Sequence, residues 1–192
     1  MALTTDGKTI TELRLPPQNV EAEMSCLGSL MLDKDAIFKV ADFLTVRDFY
    51  KPAHAAIYRV IVELSEHPEP IDVLYVTNRL KERGKLEEIG GSGYLTSLVN
   101  TVPTASHVAH YASIVRKKRM LRDLIEASHH IAQLGYKEAE DVEMLIDEAE
   151  QRIFGVARDS LKQDFFAAKD ILTEAMERIE RVHREGGILR GV

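Results

Sequence analysis

Seven histidines are the first residues to test for chemistry. His107 and His110 stand three apart, so both fall on one face of a helix, as a pair of metal ligands would. No cysteine or acidic residue flanks them at ligand spacing, and His129 and His130 are adjacent and point in different directions. Solvated or partly buried histidines are the better reading. Cys26 is the single cysteine, which excludes a disulfide or a cysteine-based zinc site within one chain. Phosphate chemistry fares no better. Gly84-Lys85-Leu86 lacks the upstream glycine and the following hydroxyl of a P-loop. Gly90-Gly91-Ser92-Gly93 follows no strand pattern and reads as a turn rather than a dinucleotide fingerprint. No serine, histidine and aspartate arrangement marks a nucleophile. The sequence therefore offers no catalytic, cofactor-binding or metal-ligating residue.

Two charge features remain. Arg116-Lys117-Lys118-Arg119 lies within a helical stretch, where four consecutive residues wrap around the axis and cannot form one phosphate-binding stripe. It reads as a solvated face. Glu140, Glu143, Asp147 and Glu150 form an acidic ridge that repels DNA and suits solvent or a basic protein partner.

The elements that must carry these residues are helices. The 192 residues are 45% hydrophobic and 29% charged, with six prolines, eleven glycines and no tryptophan. That balance excludes wholesale disorder and favours helices joined by short turns. A net charge of −6 argues against a dedicated nucleic-acid-binding module. No apolar run approaches the roughly 18 residues that span a bilayer, and Met1 to Arg14 lacks the apolar region of a signal peptide. The expectation is an all-α, soluble, cytoplasmic protein.

Residues 1–15 read as a flexible tail, closed by Pro16-Pro17. A compact bundle of short helices follows over 16–104. Asn19 caps the first helix, with Glu21 and Glu23 in its first turn and Val20, Met24, Leu27, Leu30 and Met31 as its apolar stripe. Asp33 caps a short second helix. A third runs from Pro52 to Glu66, Asp72 caps a fourth that ends at Gly84, and a last one reaches Asn100. Residues 105–157 predict an antiparallel helical hairpin. Its first helix lacks proline and glycine from Ser106 to Leu134, with one slip of phase near Lys118. Its second carries Val142, Leu145, Ile146, Ala149, Ile153 and Val156 at near-heptad steps. That stripe leaves apolar surface after one partner is satisfied, which predicts self-association through Val142, Leu145, Ile146, Ala149 and Ile153. Residues 158–192 read as a linker with an amphipathic helix over about 168–185. Its Ile171, Leu172, Met176 and Ile179 are expected to dock elsewhere, on the chain's own globular domain or on a neighbouring chain, because nothing after them can bury them. Ile125 and Ile131 lie six residues apart on one helix, so their side chains diverge by about 120° and cannot share one seam. An apolar patch beside Tyr94 is the expected result.

Ordered motifs spread over residues 15 to 115 resemble the start of DnaB-type replicative DNA helicases. They are Leu15-Pro16-Pro17-Gln18-Asn19-Val20-Glu21-Ala22-Glu23, Leu27-Gly28-Ser29-Leu30, Asp48-Phe49-Tyr50, His54, Ile57-Tyr58 and Pro70-Ile71-Asp72. Leu86-Glu87-Glu88-Ile89-Gly90-Gly91, Tyr94-Leu95, Val102-Pro103-Thr104, Tyr111-Ala112-Ser113-Ile114-Val115 and the ending Gly187-Ile188-Leu189-Arg190-Gly191-Val192 complete the likeness. Met24 departs from it, standing where a glutamine is common. The resemblance implies the N-terminal domain, hairpin and linker of a hexameric, ATP-dependent 5′–3′ helicase of the bacterial replication fork, ending ahead of a RecA-like ATPase domain. ATP, magnesium and most DNA contacts then belong to that motor domain. It also implies pairing of hairpins, a trimer of dimers, docking of the linker helix on a neighbouring subunit, and a helicase loader as a further partner. The C-terminal helical domain of DnaG-type primase would bind at Tyr94, Ile125 and Ile131. The alternative from the residues alone is a stand-alone helical scaffold or regulator that never carried an ATPase. An open reading frame running on into a P-loop separates the two.

Overall fold

Asn19 opens the first helix as expected, its side-chain oxygen accepting the Ala22 amide at 3.0 Å. In the computed structural model, residues 15–67, 69–137 and 141–158 are described. The tail up to residue 14 and the linker from residue 159, with Ile171, Leu172, Met176 and Ile179, lie outside them. The described residues are helical, with no strand among them. The helices are α1 (Val20–Leu32), α2 (Pro52–Glu66), α3 (Val73–Glu82), α4 (Gly91–Asn100), α5 (Val108–Leu134) and α6 (142–158). Three short 3₁₀ turns, Lys34–Lys39, Val46–Asp48 and Ala105–His107, link them.

Local chemistry sets the boundaries. Asp33 accepts from the Asp35 amide and starts a 3₁₀ turn rather than a full helix. Asp72 accepts the Tyr75 amide at 2.9 Å and caps α3. Pro52 begins α2, where its fixed φ fits the first turn and its missing N–H costs nothing. Before α4 the chain turns through Gly90 and Gly91 at φ 100° and 74°, a left-handed conformation that side chains with a Cβ resist.

α1 is the centre of the head and packs on α2, α4 and α5. Its Leu27 and Leu30 meet Ile57, Ile61 and Leu64 of α2, Leu95 and Leu98 of α4, and Val108, Ala112 and Val115 of α5 in one continuous core. Each large side chain buried there contributes roughly 1.5–3 kcal/mol. Gly28 lets α1 and α4 approach so closely that a Cβ at this position would run into the Leu98 carbonyl.

α5 has two environments. Its first half is core, through Val108, Ala112 and Val115. Beyond the phase slip, Leu121, Leu124 and Ile125 are exposed, and the helix runs past the head. α6 returns antiparallel to it: Glu148 accepts from His130 at 2.6 Å, and Ile153 and Val156 lie opposite Met120, Leu121 and Leu124.

The basic run departs from its reading as a solvated face. Arg116 is buried and donates to the Phe43 carbonyl, while Arg119 pairs with Asp123. Of the four residues, Lys117 is the exposed one. Through Arg116 the run helps bind α5 to the head, because wrapping around the axis turns one of its members inward.

Candidate docking site at the junction of head and hairpin

Glu23 lies in the first turn of α1, as expected, and faces the core. It stands three and four residues before Cys26 and Leu27, which places it on the inward face of α1. It is 1% exposed and is no ordinary first-turn acid. Its carboxylate accepts the Tyr50 amide at 2.6 Å and the Lys51 amide at 3.4 Å. α2 has no side-chain cap of its own, so α1 supplies one across the core, with negative charge at the positive end of the α2 dipole. The same carboxylate lies 2.6 Å from Nδ1 of His54, which is fully buried at the start of α2.

The other ring nitrogen of His54, Nε2, lies 2.6 Å from the hydroxyl of Tyr94 on α4. The two rings are within 9° of parallel with centroids 6.0 Å apart, which is an in-plane hydrogen bond rather than a face-to-face stack. Burial, with the charge of Glu23 adding to it, holds the Tyr94 phenol above its ordinary titration range. Burial likewise pushes the neighbouring Cys26 thiol far up, so it stays a packed thiol. Glu23, His54 and Tyr94 thus form a relay that starts in the core. Tyr94, half-buried, is where it meets solvent.

A second set of contacts ties this relay to the hairpin. Arg122 of α5 donates to the Pro17 carbonyl at 2.8 Å and to the Asp48 carbonyl at 2.6 Å, and its guanidinium lies 5.7 Å from the centroid of the Tyr50 ring. Tyr50 is the residue whose amide Glu23 accepts. Burial, followed by the like charge of Arg119, lowers the Arg122 pKa. Asp48 is buried too, and desolvation raises its carboxyl despite the two hydrogen bonds from Thr45.

Of the residues singled out by spacing, Tyr94 sits at the end of the relay. Ile125 is one turn beyond Arg122 on α5 and 45% exposed. Ile131 is half-buried and about 9 Å further along the helix. On α6, Val142, Ile146 and Ile153 are exposed, and Leu145 and Ala149 are half-buried. His107, His110 and His129 are exposed, and among the described residues no cluster of His, Cys, Asp and Glu is placed to hold a metal ion. No helix of the described residues is long and apolar enough to cross a membrane. The Glu23–His54 pair was missed by spacing arguments. Its signal was a polar residue on the core stripe of each of two helices, at positions that repeat with buried leucine and isoleucine.

The described residues thus form a bundle of short helices extended by one antiparallel pair, with a buried polar relay at their junction. Residues 15–117 match the DnaB-like helicase N-terminal domain family, and the chain belongs to that family. It is 40% identical to the replicative DNA helicase DnaC of Bacillus subtilis over 93% of its length, and 42% identical to DnaB of Mycobacterium leprae over 93%. It spans 39% and 30% of the lengths of those two relatives. Among solved structures, the crystal structure of the N-terminal domain of DnaB from Mycobacterium tuberculosis superposes with a TM-score of 0.70 at 44% identity, covering 74% of this chain and 99% of that one. A DnaB-like replicative helicase described with its interactions with primase superposes with a TM-score of 0.60 at 25% identity, covering 72% of this chain and 31% of that one.

Proposed function

We propose that this chain is the assembly and primase-docking part of a hexameric replicative helicase. Within it, residues 16–104 form the head, 105–157 the pairing hairpin, and 158–192 the segment that links to a motor. The observation that carries the docking half is the position of Tyr94. A buried relay fixes it from inside, and a chain of contacts through Tyr50 and Arg122 connects it to the turn bearing Ile125. A rigid aromatic linked in this way to an exposed aliphatic residue suits a helical partner, because such anchors dominate interface energies. The structural relative described with its interactions with primase supports primase as the partner class, and the likeness to DnaB-type helicases narrows the proposal to the C-terminal helical domain of a DnaG-type primase. Ile131 belongs to the same surface at its far end.

Assembly rests on the exposed stripe of α6, which a second copy of the hairpin would cover. ATP and magnesium then serve an ATPase domain, since these 192 residues contain no P-loop sequence. Unwinding at the replication fork, the loader contact and the docking of the linker helix belong to the full assembly.

The test is a titration of the primase C-terminal domain against this chain and its Tyr94→Ala variant. The variant should bind at least about fivefold more weakly while its helicity is kept, which is about 1 kcal/mol of lost contact. Equal affinity in a folded variant would place the docking surface elsewhere.

A further inference from the structure

The relay also determines what the Tyr94 hydroxyl can offer a partner. A phenol has one hydrogen to donate and two lone pairs to accept with. Both oxygens of Glu23 accept from backbone amides at the positive end of α2, as the oxygens of a carboxylate do. An ionised Glu23 only accepts, so the ring nitrogen opposite it, Nδ1 of His54, must carry a proton. A singly protonated imidazole then has a bare lone pair on Nε2, and the group 2.6 Å from that lone pair is the Tyr94 hydroxyl. The hydroxyl hydrogen is consumed inward. Only lone pairs are left on the side that solvent reaches, and the raised pKa of the phenol keeps that single hydrogen in place.

We propose that the Glu23–His54 pair makes Tyr94 an acceptor-only anchor, so that the partner docking there must present an N–H or O–H donor to its hydroxyl. Asparagine, glutamine, lysine or arginine side chains fit this requirement, and a carboxylate is rejected. The inference rests on Tyr94 lying in the primase-docking surface, and it adds the polarity of that contact. A free tyrosine hydroxyl would rotate to suit either kind of partner; this one is held in a single sense from inside the core. Glu23 and His54 act as positioning residues, because neither reaches the surface.

Two measurements decide it. The first compares Tyr94→Phe with Tyr94→Ala in titrations with the primase C-terminal domain at pH 8, above the usual titration range of an imidazole. The phenylalanine variant keeps the ring and loses the acceptor. It should bind about threefold to tenfold more weakly than the unaltered chain, the effect expected for one hydrogen bond. Wild-type affinity for Tyr94→Phe with weakened binding for Tyr94→Ala would overturn the acceptor role and leave the docking site standing. Wild-type affinity for both would remove the docking site and the proposal with it. The second measurement needs no variant: ¹⁵N spectra of the His54 ring in the unaltered chain, free and primase-bound. A proton on Nδ1 and a bare Nε2 in both states support the proposal. A proton on Nε2 in either state overturns it, because the hydroxyl would then be accepting from the ring.

Discussion

Glu23 shows how one residue can hold two helices and a surface side chain at once. Its carboxylate accepts from Tyr50, Lys51 and His54, three donors that water cannot serve at this depth. Removing the carboxylate leaves its donors without an acceptor, and a donor stranded in the interior costs about 1–3 kcal/mol, more where its partner was charged. Glu23→Ala should therefore destabilise the chain by about 3–5 kcal/mol, read as a shift of the urea midpoint. It should also free the Tyr94 ring, seen as sharper averaging of its aromatic signals. A loss below about 1 kcal/mol would mean that the pair is wet and the relay unimportant. Acids in a first turn usually complement the dipole from the surface, so that position alone did not mark Glu23 as buried. Its spacing from Cys26 and Leu27 carried the correct answer. His54 repeats the case, standing one turn before Ile57 and Tyr58 on the buried face of α2.

At the scale of elements, caps and breaks were legible to within a residue or two: Asn19, Asp33, Pro52, Asp72 and the Gly90-Gly91 turn each mark a boundary through local backbone chemistry. What spacing could not show was how the hairpin leaves the head. Arg122 sets that, with one guanidinium reaching two carbonyls that lie about thirty residues apart in the chain, at Pro17 and Asp48. Such contacts have no periodic signature, since they join irregular backbone to the middle of a long helix. Arg116, donating to Phe43, does the same one and a half turns earlier. Arg122→Ala removes both donations and the cover over Tyr50. Hydrogen bonds from a charged group contribute about 1.5–3 kcal/mol, less where water reaches the group, so a loss of about 2 kcal/mol is expected. Amide exchange should quicken around Asp48–Lys51 and the middle of α5, while the α3 and α4 amides, remote from the strut, stay protected. Uniform acceleration across the head would show that Arg122 supports the whole core rather than one junction.

For the whole molecule, the decisive fact is that the hairpin keeps an exposed apolar stripe among the described residues. α6 packs against α5 on one side only, and Val142, Ile146 and Ile153 still face outward alongside Leu121, Leu124 and Ile125 of α5. A contiguous exposed apolar stripe marks an interaction surface, and the proposed second hairpin would cover it. In a single chain Ile146 is 53% exposed, and an aspartate there should cost the monomer within about 0.5 kcal/mol. In a closed seam between two chains the same carboxylate would be buried without a partner, a cost large enough to abolish pairing. Ile146→Asp therefore separates folding from association. Sedimentation should find the unaltered chain as a dimer or larger and the variant as a monomer, with the far-ultraviolet helical signal nearly unchanged. Glu143→Gln, on the exposed acidic ridge, is the matched control and should keep the original mass. If Ile146→Asp also keeps the original mass, the copies meet through another face. If it loses its helicity as well, the stripe is being buried within the chain.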